Sequence, residues 1–218
     1  MLYLIATPIG NLKDITLRGI ETLEKVDYLL CEDTRVTSNL LHHLHIRNKP
    51  ELISFYDEVE AQKIPQVIKL LEQNKQVGLV TDAGTPIISD PGYLLIQKCQ
   101  KLGIKYTAIP GASALLTALT LSGFPSGRFI YLGFLPKKST ERIKLLFKYK
   151  SFSESKVVYE SPLRLAKLIE DLKNVYGEDK EVCICRELTK KFETIIRDTI
   201  SHLLKSKLST KGELTIIF

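Results

Sequence analysis

Three short loops of small residues offer the first sign of chemistry. Thr7-Pro8-Ile9-Gly10-Asn11, Asp82-Ala83-Gly84-Thr85-Pro86 and Pro110-Gly111-Ala112-Ser113-Ala114 each follow an apolar, β-rich run. In open parallel sheets ligands bind beyond the carboxyl ends of the strands, where Gly and Ala let the main chain approach closely. One such loop reads as an ordinary turn; three in one half of a chain point to a ligand site. None of the three carries Lys or Arg, and neither GxGxxG nor GxxxxGK[ST] occurs, so no dinucleotide or triphosphate cradle is present. The loops suit a nucleoside-like ligand without phosphates, read by main-chain hydrogen bonds, and S-adenosylmethionine meets that description. Charged groups also follow apolar runs, in Glu32-Asp33-Thr34-Arg35, Tyr159-Glu160-Ser161-Pro162 and Arg186-Glu187-Leu188-Thr189-Lys190. Such groups serve as helix caps and internal ion pairs, or as acids, bases and ligand contacts. His42, His43 and His45 have no carboxylate partner nearby and read as a solvated helix rather than a metal site. Cys31, Cys99, Cys183 and Cys185 have no CxxC spacing, which excludes a disulfide framework or zinc ribbon, and Cys183 and Cys185 share one face of a strand as core residues. GxSxG and HExxH signatures are absent.

The elements that must position these loops alternate in the first half. Strands are expected at Leu2–Thr7, Tyr28–Glu32, Glu51–Phe55, Gln76–Thr81 and Ile104–Ile109. Helices are expected between them at Thr16–Val26, Val36–His45, Glu58–Asn74 (kinked or interrupted at Pro65) and Gly92–Leu102. Asp14 is the expected cap of the first helix, with Leu17, Ile20 and Leu23 on its apolar face. This order implies βαβ units and a largely parallel sheet. After the helix Ala112–Leu121, the turn Ser122-Gly123-Phe124-Pro125-Ser126-Gly127 is the expected domain boundary, giving lobes 1–122 and 123–218. The second lobe reads as α+β with a mixed sheet. Its expected strands are Phe129–Phe134, Lys156–Tyr159, Glu181–Arg186, Glu193–Arg197 and Glu213–Phe218; its helices are Thr140–Lys150, Pro162–Tyr176 and Ile200–Leu208. Two such lobes are expected to leave a ligand cleft between them.

Composition agrees with a folded chain that has its own core: 218 residues, 44% hydrophobic and 26% charged. The formal charge of +6 is uneven. Residues 1–117 carry 12 basic and 13 acidic side chains, and residues 118–218 carry 19 and 12. The excess is densest from Arg128 to Lys150, where seven basic residues stand against Glu141 alone. A phosphate backbone is a common partner for such a stretch, and the interleaved Tyr131, Phe134, Phe147 and Tyr149 suit base stacking. No apolar run is long enough to span a membrane, and Met1-Leu2-Tyr3-Leu4-Ile5 enters a strand without a basic leader, so a cytoplasmic protein is expected.

LYLIATPIGNLKDIT, CEDTR, VGLVTDAGTPIISDPGY, IPGASA, RFIYLGFLPKK, VVYESPLRL, CRELTKKFET and KGEL, in this order over nearly the whole chain, resemble the small-subunit ribosomal RNA 2′-O-methyltransferases of the tetrapyrrole methylase superfamily. Branches of that superfamily acting on porphyrin-like rings or diphthamide have a GxGxGD-like first loop and a GDP-type fourth loop. Here they read TPIGNL and DAGTP, which favours the ribosomal RNA branch. Ala112 stands where relatives often have proline. The resemblance implies the two-lobed α/β fold of class III methyltransferases, a homodimer, and S-adenosylmethionine as the donor. The implied reaction is 2′-O-methylation of a cytidine ribose in 16S rRNA within the small ribosomal subunit. It places the cofactor against Pro8, Ala83, Gly84, Thr85, Ile88, Ser113 and Ala114, and against Glu160 and Leu188 of the second lobe. Asp33 and Glu187 are the candidate proton acceptors, with Arg35, Arg186 and Lys190 positioning phosphate or ribose. Two other readings are a small-molecule methyltransferase of the same superfamily and a non-catalytic RNA-binding module.

Overall fold

Five short apolar runs of the first half become parallel strands, β1 (Leu2–Ile5), β2 (Tyr28–Cys31), β3 (Glu51–Ser54), β4 (Val77–Leu79) and β5 (Tyr106–Ile109). Their order in the sheet is β3-β2-β4-β1-β5 in the computed structural model, which describes all of residues 1–218. Because every strand runs the same way, all five carboxyl ends open at one edge. Alternation along the strands sorts the core into two faces. Leu30, Ile53 and Leu79 pack with Val67, Leu71 and Leu95 of α3 (Asp57–Glu72) and α4 (Tyr93–Leu102). Leu29, Cys31 and Val80 pack with Leu23 and Leu41 of α1 (Leu17–Lys25) and α2 (Thr34–His43). The near-continuous apolar strands follow from this double cover.

The second sheet is mixed, ordered β6-β7-β10-β8-β9, from β6 (Phe129–Phe134), β7 (Ser155–Glu160), β8 (Glu181–Arg186), β9 (Thr194–Thr199) and β10 (Leu214–Ile217). β6 and β7 are parallel, and the other neighbours are antiparallel. One face is covered by α6 (Ser139–Lys148), α7 (Leu165–Tyr176) and α8 (Ile200–Lys205) over Val158, Val182, Ile184 and Ile216. The other face receives α5 (Ala114–Ser122), whose Ala118 carbonyl accepts from the Cys185 thiol at 3.8 Å. Cys183 and Cys185 are therefore core residues, both fully buried, with sulfurs 3.8 Å apart.

Three local expectations change. Thr16, not Asp14, caps α1, its hydroxyl accepting from Gly19 N–H at 3.0 Å, while Asp14 belongs to a single 3₁₀ turn, Leu12–Asp14. Leu17 is 80% exposed, because a three-residue spacing drifts about 60° per step around a helix and leaves Leu17 well off the Leu23 face. α3 runs unbroken through Pro65: Pro65 and Ala61, whose carbonyl loses its partner, both face solvent, and Val67, Ile68 and Leu71 anchor the helix beyond. The chain divides into Met1–Ser113 and Ala114–Phe218, not at the glycine-proline turn near residue 123. An apolar helix follows the sheet that buries it, and α5 lies on β8 and β10.

Candidate active site

The three small-residue loops meet at the carboxyl edge of the first sheet. Thr7 N–H donates to Gly84 O at 2.9 Å and Gly84 N–H returns to Thr7 O at 3.1 Å, a two-bond clasp between the loop after β1 and the loop after β4. The buried Thr7 hydroxyl donates to Thr81 O at 3.1 Å. Thr85 Oγ1 donates to Ala112 O at 3.0 Å, joining the loop after β4 to the loop after β5. Gly84 has φ +90°, and a Cβ there would lie 3.3 Å from Ile9 Cγ2. At Gly111 a Cβ would come within 3.0 Å of Ala6 Cβ. Gly84 is thus favoured by its left-handed backbone and Gly111 by the tight approach of the Ala6 methyl. Around them Pro8, Thr85 and Ser113 are half-buried and Ala83 and Ile88 exposed; Ala114 opens α5 as the first residue of the second unit. The donors and acceptors of this lining are main-chain groups and hydroxyls, with no cation among them.

Five carboxylates, Glu32, Asp33, Asp57, Asp82 and Asp90, lie at or beyond the ends of β2, β3 and β4. Burial, reinforced by the neighbouring charges, raises Glu32 and Asp82 above the ordinary carboxylate range. Asp90 is pushed furthest, to about 7, by burial and by the charges of Glu32, Asp57 and Asp82. Asp33 behaves oppositely. It caps α2, its Oδ1 accepting from Arg35 N–H at 2.8 Å and Arg35 Nε at 3.1 Å, with Oδ2 2.6 Å from Nη2. The guanidinium and the capped N–H hold its carboxyl down at about 2. The structure therefore gives Asp33 a capping role and makes it a weak proton acceptor. Asp90 was not legible as a functional candidate. Its signal lay in the segment Ile87-Ile88-Ser89-Asp90-Pro91-Gly92, an acid among apolar residues, where Ile87 (φ 75°) and Ser89 (φ 69°) hold strained left-handed conformations.

In the second sheet the ends of β6, β7 and β8 meet the starts of β9 and β10 at one edge. Glu160, 2% exposed, closes β7; its Oε1 accepts from Ser161 N–H at 2.7 Å and from Arg164 Nε at 2.6 Å, with Nη2 at 2.5 Å. Oε2 is buried with no partner. Beyond β8, Leu188 is buried between Glu187 (φ 53°) and Thr189 (φ 63°), and Thr189 Oγ1 is likewise enclosed and unpartnered. Glu187 Oε1 accepts from Glu213 N–H at 3.0 Å and from Lys190 Nζ at 3.2 Å, which hold its carboxyl below the usual range. Gly212 admits this arrangement, since a Cβ there would fall 2.6 Å from Glu187 Cγ. Arg186 donates to Phe192 O at 3.0 Å and Thr194 Oγ1 at 3.1 Å, so it braces the β8–β9 hairpin instead of offering a free fork to phosphate. Lys190 is shared with Glu213 at 2.8 Å. His42, His43 and His45 are exposed, and no group of three His, Cys, Asp or Glu side chains is placed to hold a metal ion.

The family described as Tetrapyrrole (Corrin/Porphyrin) Methylases matches residues 1–204. Among curated proteins, the chain is 46% identical over 218 residues to Ribosomal RNA small subunit methyltransferase I of Mycoplasmopsis pulmonis, covering all of this chain and 96% of that one. It is 42% identical over 221 residues to the protein of the same name from Haemophilus influenzae, covering all of this chain and 77% of that one. Among solved structures, diphthine synthase superposes with a TM-score of 0.74 at 16% identity, over 100% of this chain and 89% of that one. The uroporphyrin III C-methyl transferase of Thermus thermophilus gives 0.69 at 14% identity, over 99% and 96%.

Proposed function

The chain belongs to the tetrapyrrole methylase family, and on that premise we propose that it is an S-adenosylmethionine-dependent methyltransferase of 16S rRNA that methylates the 2′-hydroxyl of a cytidine in the small ribosomal subunit. The observation that carries this reading is the cation-free clasp of three small-residue loops, in a chain 46% identical over its whole length to a ribosomal RNA methyltransferase. Cofactor binding is assigned to Pro8, Ala83, Gly84, Thr85, Ile88, Ser113 and Ala114, and in the second unit to Glu160 and Leu188. The fit rests on two features. Ala83 and Gly111 are exposed and carry no side chain beyond a methyl, so a nucleoside can approach their main chain, and the orphaned Oε2 of buried Glu160 calls for a donor. The carboxylates along the first sheet favour a cationic ligand over a polyphosphate.

When bound, the cofactor supplies a sulfonium methyl group that an oxygen nucleophile takes in an in-line displacement. The protein's part is to hold the hydroxyl in line and to accept its proton. Glu187 and Asp33 are the carboxylates that sequence reasoning assigns to that proton; Asp90 is a third, and alone among them titrates near neutrality. The chain acts in the cytoplasm as a homodimer, and none of its helices is long and apolar enough to cross a membrane.

The test is tritiated methyl transfer to small subunits from a strain lacking the activity, followed by nuclease mapping. Label at a cytidine ribose is expected; label on a base, or transfer only to a porphyrin precursor, overturns the reading. In single-turnover pH profiles, the acceptor's amide variant should lose at least about 100-fold in rate and keep its cofactor affinity. If Asp90 is the acceptor, an inflection near pH 7 disappears in Asp90→Asn and persists in Glu187→Gln.

A further inference from the structure

The run of cations from Arg128 to Lys150 is not one patch. β6 carries the chain to the sheet edge where Glu160 lies, leaving Lys137 and Lys138 there, and α6 brings it back to the opposite edge. Ten helical residues span about 15 Å and six strand residues about 20 Å, so Lys148 and Lys150 stand that far from the Glu160 end. Arg142 leaves the run altogether, being buried against Asp171.

At the far edge, the last turn of α6 and the segment after it form a compact group. Phe147 is 52% exposed and Phe152 48%. Lys150 Nζ stands 5.6 Å from the Phe147 ring centre, Lys148 Nζ 5.7 Å from that of Tyr149, and the Tyr149 and Phe152 rings lie 5.8 Å apart. Lys144 is exposed on the same helix, and no acid occurs from Lys144 to Ser153. The nearest acid in the following segment, Glu154, faces Arg128 at 3.7 Å. The backbone that presents these rings is tied down. Tyr149 and Lys150 N–H donate to Leu146 and Phe147 carbonyls, and the Tyr176 hydroxyl to Leu146 O at 3.2 Å. The buried Lys156 ammonium donates to Phe152 O.

Two exposed phenylalanines on a hydrogen-bonded backbone among three lysines have no use in the core of this unit. Stacking faces with cations beside them match unpaired nucleotides, whose bases take the ring faces while the ammonium groups turn to phosphate. An apolar protein partner would be matched by the rings but not by the lysines. We infer that the C-terminal end of α6 with Tyr149–Phe152 is a second RNA-docking surface, which anchors an unpaired segment of the substrate rRNA away from the methylated nucleotide. This rests on the reading that ribosomal RNA is the substrate.

The triple variant Phe147→Ser, Lys148→Gln, Lys150→Gln alters only exposed side chains. We expect its KM for intact small subunits to rise tenfold or more, with kcat at saturation and calorimetric cofactor affinity unchanged. A single Phe147→Trp variant should keep the wild-type KM. A photo-crosslinking residue at position 147 should label 16S rRNA. An unchanged KM, a crosslink to ribosomal protein alone, or no crosslink overturns the inference. Should the wild-type chain transfer no methyl group to small subunits, the proposed function falls by itself. Binding of labelled 16S rRNA then still decides this surface: a tenfold loss in the triple variant supports it and equal affinity overturns it.

Discussion

Asp90 and Asp33 show how far one residue type is pulled by its surroundings. Asp33 accepts from a helix N–H and a guanidinium and sits near 2; Asp90 is half-buried among other carboxylates and sits near 7. The upward shift has a cost with a definite pH window. Between the ordinary 3.8 and about 7 the folded chain keeps a proton that the unfolded chain has released. Stability is thus greatest below that window, declines through it, and carries the full cost of the buried charge above it. Asp90→Asn is expected to leave stability unchanged near pH 4 and to raise it at pH 8 by up to about 3 kcal/mol, allowing for residual solvent around the carboxyl. Urea titrations at the two pH values check this, and a gain of equal size at both contradicts it.

At the scale of elements, α6 and α7 are joined by a pair that the charge pattern had assigned to RNA. Arg142, 1% exposed, meets Asp171 at 2.5–2.6 Å, donates also to Pro136 O at 3.2 Å, and shares Asp171 with the Ser139 hydroxyl at 2.7 Å. Its charge is unavailable to phosphate. Arg142→Met leaves Asp171 buried without its partner and is expected to cost about 3–5 kcal/mol of stability, whereas Arg142→Met with Asp171→Leu should recover much of that loss. Lys144→Gln, on the exposed face of the same helix, should stay within about 0.5 kcal/mol. Thermal unfolding of the three variants separates them. The same helical stretch explains what was legible here: the apolar periodicity places α6, α7 and the strands within a few residues, but which cation of α6 turns inward depends on an aspartate 29 residues away.

Over the whole molecule the charge divides with the two units. Met1–Ser113 carries 12 basic and 13 acidic side chains, and Ala114–Phe218 carries 19 and 12. The proposed rRNA binding is therefore expected to draw on the second unit, through the cations left once Arg142, Lys156, Arg164, Arg186 and Lys190 are engaged. If about five phosphates are neutralised, log affinity for small subunits should fall against log salt with a slope of about −4. A flat response would contradict electrostatic capture.

The order of strands and helices, the parallel first sheet, the mixed second one and the three clasped loops could all be read from the residues, because periodicity, turn chemistry and small side chains act over a few neighbours. The allegiance of α5, the cap at Thr16, the burial of Arg142, the engagement of Asp33 and Arg186, and the proton affinity of Asp90 were decided only by the folded chain. Each depends on desolvation or on a partner brought close by packing, and the linear pattern of residue types does not encode which groups will share a buried space.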